Sequence, residues 1–170
     1  METPEVKISP RLNDEIYLVQ NPALGAALMW EFVKGFKRQS SGAGPTLPFL
    51  FIVLPVIFSE PLRTVMGKTN LTSGLRLFAG KFSKEQELLL SIQRRMLALR
   101  NTSLTSLDIA LESGLLTLDC TTAVVDYKTK RYPSNIPNTV RELGKHADKL
   151  GGWCGALSIQ EVQTALRIGF

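Results

Sequence analysis

His146 is the only histidine in the 170 residues, and so the only side chain whose ordinary pKa suits general-base work near neutral pH. Lys145, Asp148 and Lys149 surround it as on an exposed helix face. No GxSxG or catalytic-cysteine signature accompanies it, so it reads as a surface histidine. Gly67-Lys68-Thr69 matches the tail of a phosphate-binding P-loop, but Leu62 stands where the first glycine belongs. Without the glycine-rich cradle Lys68 is only a point charge, and a helix C-cap is the better reading. Cys120 and Cys154 lie far apart and outside any CxxC pair. With one histidine they assemble no zinc site, and they read as reduced thiols. Glu85 and Glu87, like Asp108 and Glu112, occupy helix positions where acids favour the dipole or pair on the surface. The chain is therefore expected to carry no catalytic, cofactor-binding or metal-binding residues and to take no small-molecule substrate.

The cations remain. The formal charge is +5 with a pI near 9.4, which permits nucleic acid or an acidic partner without requiring either. Arg94, Arg95 and Arg100 share one helix, and Lys128, Lys130 and Arg131 precede Tyr132. A basic loop with an aromatic residue suits phosphates. Yet the neighbouring stretch Thr105–Ser113, placed as a recognition helix would be, carries Asp108 and Glu112 and no Arg, Lys, Asn or Gln to read base edges. Arg94, Arg95, Lys128, Lys130, Arg131 and Tyr132 are the expected contact residues for nucleic acid or a protein partner.

The elements positioning these residues are organised around Leu47–Phe58, LPFLFIVLPVIF. The run is too short to cross a bilayer, which takes about 20 apolar residues. Pro55 argues against a strand, and Pro48 suits a first helical turn. The spacing predicts a buried helix continuing to Met66 and kinked or split at Pro55. Before it, Asn21-Pro22 opens a helix to Phe36, in which Gly25 and Ala26 leave room for close approach, after an extended Ile16–Val19. After it come a helix over Gly74–Lys81 and an amphipathic helix to Leu99, opened by Ser83 and Gln86 as a capping box. Thr105–Ser113, Gly114 and the alternating pair Leu115–Asp119 and Ala123–Tyr127 make a helix, a C′ glycine and a β-hairpin. Thr139–Leu150 is a polar helix, Gly151-Gly152-Trp153 turns the chain, and Ser158 with Glu161 opens a last helix.

The resulting expectation is a mainly α, α+β fold: a helical core around a buried Pro-kinked helix, with a winged-helix-like helix–hairpin unit. One domain is expected, with a flexible arm to about residue 12, a helical core over 22–100, the helix and hairpin wing over 104–128, and C-terminal helices over 139–168. The N-terminus shows no basic region followed by an apolar one, hence no secretion signal.

Several segments together resemble a known family: YLVQNPALGAALMWEFVKGF (Tyr17–Phe36), LPFLFIVLPVIF (Leu47–Phe58), KTNLTSGL (Lys68–Leu75), ESGLLTLD (Glu112–Asp119) and KLGGWCGALSIQEVQTAL (Lys149–Leu166). They are similar to the middle component of bacterial three-component ABC ATPase systems. The resemblance implies a cytoplasmic, non-catalytic adaptor linking an ABC-type ATPase to an effector component, in a system proposed to act against phages and other mobile elements. DNA would be reached through the complex, and no membrane is involved. The residues themselves leave open a winged-helix DNA-binding transcriptional regulator.

Overall fold

A computed structural model describes residues 21–170 together with Leu18. The expected arm to residue 12 and, apart from Leu18, the extended segment at 16–19 lie outside these residues. Among them the fold is mainly helical, with a two-stranded antiparallel hairpin. The helices are α1 (Pro22–Gln39), α2 (Val53–Ile57), α3 (Glu60–Gly67), α4 (Gly74–Gly80), α5 (Gln86–Ala98), α6 (Arg100–Glu112), α7 (Asn138–Gly155) and α8 (Ile159–Leu166). The strands are β1 (Leu116–Asp119) and β2 (Val124–Tyr127). No single described helix is long and apolar enough to cross a membrane.

The centre of the packing is α1, not the apolar run. Asn21 caps it, its Oδ1 accepting the Leu24 N–H at 3.0 Å, and Pro22 fills the first turn. Its most extensive partner is α7, followed by α6. Contact on both sides buries Leu24, Leu28, Met29, Trp30, Phe32, Val33 and Phe36 together, along with Glu31. Glycines allow these helices to approach at backbone distance. A Cβ on Gly35 would lie 1.9 Å from the Asp148 carbonyl oxygen, one on Gly151 2.0 Å from that of Phe32, and one on Gly155 2.3 Å from that of Phe36. Gly25 instead makes room for a side chain, a Cβ there lying 2.1 Å from Ser106 Oγ of α6.

This packing corrects the reading of Gly151-Gly152-Trp153 as a turn. The helix α7 runs unbroken through both glycines to Gly155, because its tertiary contact with α1 offsets the roughly 1 kcal/mol that each glycine costs a helix interior. Trp153 is then buried, its indole N–H donating to the Leu71 carbonyl at 2.9 Å and its ring 5.1 Å from that of Phe78.

Most of the apolar run is buried as expected, with Leu47, Pro48 and Phe51 half-buried, but it is not one kinked helix. Leu47–Ile52 is a 3-10 turn, α2 follows over Val53–Ile57, and α3 leaves at 95°. Pro55 lies within the first turn of α2, where its missing N–H has no intrahelical partner to lose. The break falls at Phe58-Ser59, ahead of Pro61. Pro61 has no N–H to donate to the Ile57 carbonyl four residues earlier, and the Arg63 guanidinium donates to that oxygen instead. Arg95 Nε donates to the Pro55 carbonyl at 3.1 Å.

The end of α3 disposes of the P-loop resemblance. Lys149 Nζ donates to the Met66 and Thr69 carbonyls at 3.2 and 3.1 Å. Lys81 Nζ donates to the Lys68 carbonyl and to Thr69 Oγ1 at 3.0 and 2.7 Å. Gly67-Lys68-Thr69 is a helix terminus whose open carbonyls two lysines satisfy. Two further boundaries differ from expectation. The helix α5 starts at Gln86 with no side-chain cap and ends at Ala98, and α6 begins at Arg100, well ahead of Thr105, so Arg100 does not share a helix with Arg94 and Arg95. The capping box on α8 is present in full, Ser158 Oγ accepting from Glu161 N and the Glu161 carboxylate from Ser158 N.

After α6, Gly114 (φ +67°) turns the chain into β1. The strands pair from Leu116 with Tyr127 to Asp119 with Val124. Asp119 organises the turn, accepting from Thr121 N and Thr122 Oγ1, each at 2.8 Å. The hairpin does not stand clear of the body. Leu47 N donates to the Ala123 carbonyl and Val125 N to the Pro45 carbonyl, each at 2.8 Å, so the segment before the apolar run covers the outer edge of β2.

Candidate functional site

The residues expected to make contacts occupy two regions. Lys128, Lys130, Arg131 and Tyr132 leave the hairpin beside α1 and α7. The Trp30 indole N–H donates to the Lys128 carbonyl at 2.9 Å, and Tyr132 sits edge-on against the Trp30 ring with centroids 5.3 Å apart. Lys130 Nζ reaches back to the Ser113 carbonyl. The lysines and Arg131 keep exposed side chains, while Tyr132 is half-buried. Burial and the neighbouring Glu31 push its phenol far above the usual tyrosine pKa, so it stays neutral.

Tyr132, Pro133 and Ser134 form one wall of a cleft of about 430 Å³, with Glu31, Arg141, Gly144, Lys145 and Asp148 around it. Its acidic groups are already matched. Glu31, 8 % exposed, pairs with Lys34 at 3.0 Å, and Asp148 pairs with Arg38 at 2.5 Å. Lys34 also lies over the Trp30 ring, 4.2 Å from its centroid. On the same face Lys37 pairs with Asp126 at 2.7 Å. The two inter-element pairs fasten α1 to α7 and to β2. Sequence spacing gave no hint of the Lys37–Asp126 and Arg38–Asp148 pairs, whose partners lie 89 and 110 residues apart.

Arg94 and Arg95 belong to α5, on the other branch of the structure. Arg94 is exposed; Arg95 is half-buried and turned toward Pro55. Beside them lies a feature that sequence reasoning missed, a groove of about 640 Å³ between the 3-10 turn and α5. Leu47, Pro48, Phe51, Met96, Leu97 and Phe170 supply its apolar lining, with Gln93, Arg100 and Gly169. Leu97 is 68 % exposed and Leu90, two turns earlier, 49 %. The available signal was that both leucines fall on the arginine face of α5 rather than on the inward stripe of Leu89, Ile92 and Met96.

His146 is half-buried rather than on a free surface, packed beside Gly67. Burial lowers its pKa, reinforced by the Lys149 and Arg63 charges and by Lys145, against a smaller opposing effect of Glu142. A depressed folded value means that the unfolded chain takes up the proton first. The stability from neutral His146 is therefore present above the unfolded value, about 6.5, and is lost as pH falls through it toward the folded value. We expect the difference in melting temperature between wild type and His146→Gln to shrink between pH 7 and pH 5; a constant difference would refute this. Cys154 is fully buried, which pushes its thiol pKa up and keeps it unreactive. Among the described residues no group of three or more His, Cys, Asp or Glu is placed to hold a metal.

These observations define a mainly helical α+β protein whose conspicuous polar groups are spent on holding elements together. The chain belongs to the family described as ABC-three component (ABC-3C) system Middle Component 3, whose model matches residues 9–170. Neither a search of curated proteins nor one of solved structures found a match.

Proposed function

We propose that the chain is a non-catalytic, cytoplasmic adaptor that links an ABC-type ATPase to an effector component in a bacterial defence system. The observation that carries this reading is the family match over residues 9–170, which associates the chain with the other components of an ABC-3C system. The local chemistry supports it. Glu31, Asp126 and Asp148 are engaged by lysine or arginine, His146 is held neutral by its surroundings, and Gly67-Lys68-Thr69 is a helix terminus. Coexpression with the neighbouring ATPase and effector genes tests the proposal: a stable complex is expected on purification, and its absence from both pairings would overturn the adaptor role.

A DNA-binding regulator is the competing reading, favoured by the α6–Gly114–hairpin unit and its exposed Lys128, Lys130 and Arg131. Against it stand the edge contacts that tie β2 to Pro45–Leu47 and the exposed Asp108 and Glu112 on α6. A gel-shift titration across salt separates the two, because phosphate contacts make affinity fall steeply with salt concentration.

A further inference from the structure

We infer that the groove between the 3-10 turn and α5 is the docking site for an acidic, apolar segment of another component of the system, an inference that rests on the adaptor reading. Three observations converge on it. The first is exposed apolar area. Leu90 and Leu97 project from one face of α5, Leu97 also lining the groove, while Leu104 lies one turn past the groove residue Arg100 and Phe170 closes its far side. These are four of the six large hydrophobic side chains exposed among the described residues. Scattered apolar residues need no explanation, but Leu97 and Phe170 both line one cavity, and exposed apolar side chains gathered at a cavity mark an interaction surface. The second is shape. The far wall is tied to the body, since Gly169 N donates to Gln93 Oε1 at 2.8 Å and the Phe170 ring lies 5.9 Å from that of Phe49. An apolar side chain therefore meets a preformed slot, which lowers the ordering cost of binding.

The third observation is charge, and it selects the occupant. Arg100 is the only charged residue lining the groove, and Arg94 projects between Leu90 and Leu97 one turn from each. Among the described residues neither arginine has a hydrogen-bond or ion-pair partner, and both are exposed. A second copy docking by the same face would bring these cations together, at a cost in repulsion. A segment placing leucine-sized side chains in the slot and a carboxylate opposite Arg94 or Arg100 satisfies both features, and arginine is suited to hold a carboxylate through two parallel hydrogen bonds.

The test uses the full chain with the ATPase and effector components of its own system, each titrated by calorimetry or interferometry. Leu97→Asp and Arg100→Glu are each expected to weaken binding of one component by at least about tenfold, a loss of 1.4 kcal/mol. Leu77→Asp, an exposed leucine on α4, should leave binding unchanged. Arg100→Lys should bind between wild type and Arg100→Glu, since charge is kept and the fork is lost. Wild-type binding that neither groove substitution alters would overturn the docking site and leave the adaptor role standing. Failure of wild type to bind either component would overturn both. A homodimer dissociated by Leu97→Asp would assign the groove to a second copy and overturn the inference.

Discussion

Gly151→Ala is expected to destabilise the protein by about 3 kcal/mol or more, at the upper end of overpacking effects. The added methyl would lie 2.0 Å from the Phe32 carbonyl oxygen, 2.8 Å from its carbon and 2.9 Å from the Phe36 nitrogen. All three atoms are α1 backbone, so no side-chain rotation relieves the clash. The two helices have to separate along the interface that buries Phe32, Phe36, Leu150 and Trp153. Gly35→Ala attacks the same interface from the other helix, against the Asp148 carbonyl, and should cost a comparable amount. Gly80→Ala is the control. It ends α4 with nothing within 4 Å of its Cβ position and no positive φ, and it should be neutral or stabilising by up to about 1 kcal/mol. Urea titrations of the three variants decide the matter. Equal stability of Gly151→Ala and Gly80→Ala would refute backbone contact between α1 and α7.

Trp153→Ala should cost about 3–5 kcal/mol, the range for emptying a buried aromatic site. The indole is 1 % exposed, stacks near Phe78 and donates to the Leu71 carbonyl. Through these contacts it joins α7 to the 3-10 turn over Leu71–Ser73 and to α4. Trp153→Phe separates the contributions, keeping most of the apolar volume while leaving the Leu71 carbonyl without its donor. Its expected cost is about 1–3 kcal/mol. If Trp153→Phe proved as damaging as Trp153→Ala, the hydrogen bond and not the packing would hold the site. Loss of native tryptophan fluorescence from Trp30, read in the variants, reports whether the damage spreads across α1.

The contrast between these glycines and the apolar run shows why local pattern and tertiary role diverged. LPFLFIVLPVIF was recognisable as buried because no face of it carries a charge, and its second half is: Ile52, Val53, Leu54, Val56, Ile57 and Phe58 are at most 1 % exposed. The position of the bend was not recognisable. Pro55 and Pro61 look alike in sequence, and their effect depends on where each falls relative to a helix start. Arg63 and Arg95 then complete the geometry by serving carbonyls of α2. Likewise α1 reads as amphipathic, with Glu31, Lys34, Lys37 and Arg38 on its polar side. Only the assembled structure shows that α7 and the hairpin exit cover that side too, turning these charges into partners of Tyr132, Asp126 and Asp148.

Of the contact residues inferred from composition, the sequence alone determined which are basic and on which elements they fall. Arg94 and Arg95 are on one helix, and Lys128, Lys130 and Arg131 follow the hairpin. It also determined the helix–Gly114–hairpin order and the α8 capping box, because turns, caps and strand alternation are written within a few adjacent residues. The family resemblance was legible for the same reason, since it rests on ordered local segments now matched over residues 9–170. The tertiary structure decided everything that depends on long-range proximity: that α1 is the central helix, that Gly151-Gly152 is an interface and not a turn, that His146 is half-buried, and that Arg100 lines an apolar groove. Residues distant in the chain have no local signal of their contact. The free energy that places them comes from burying surfaces contributed by several elements at once.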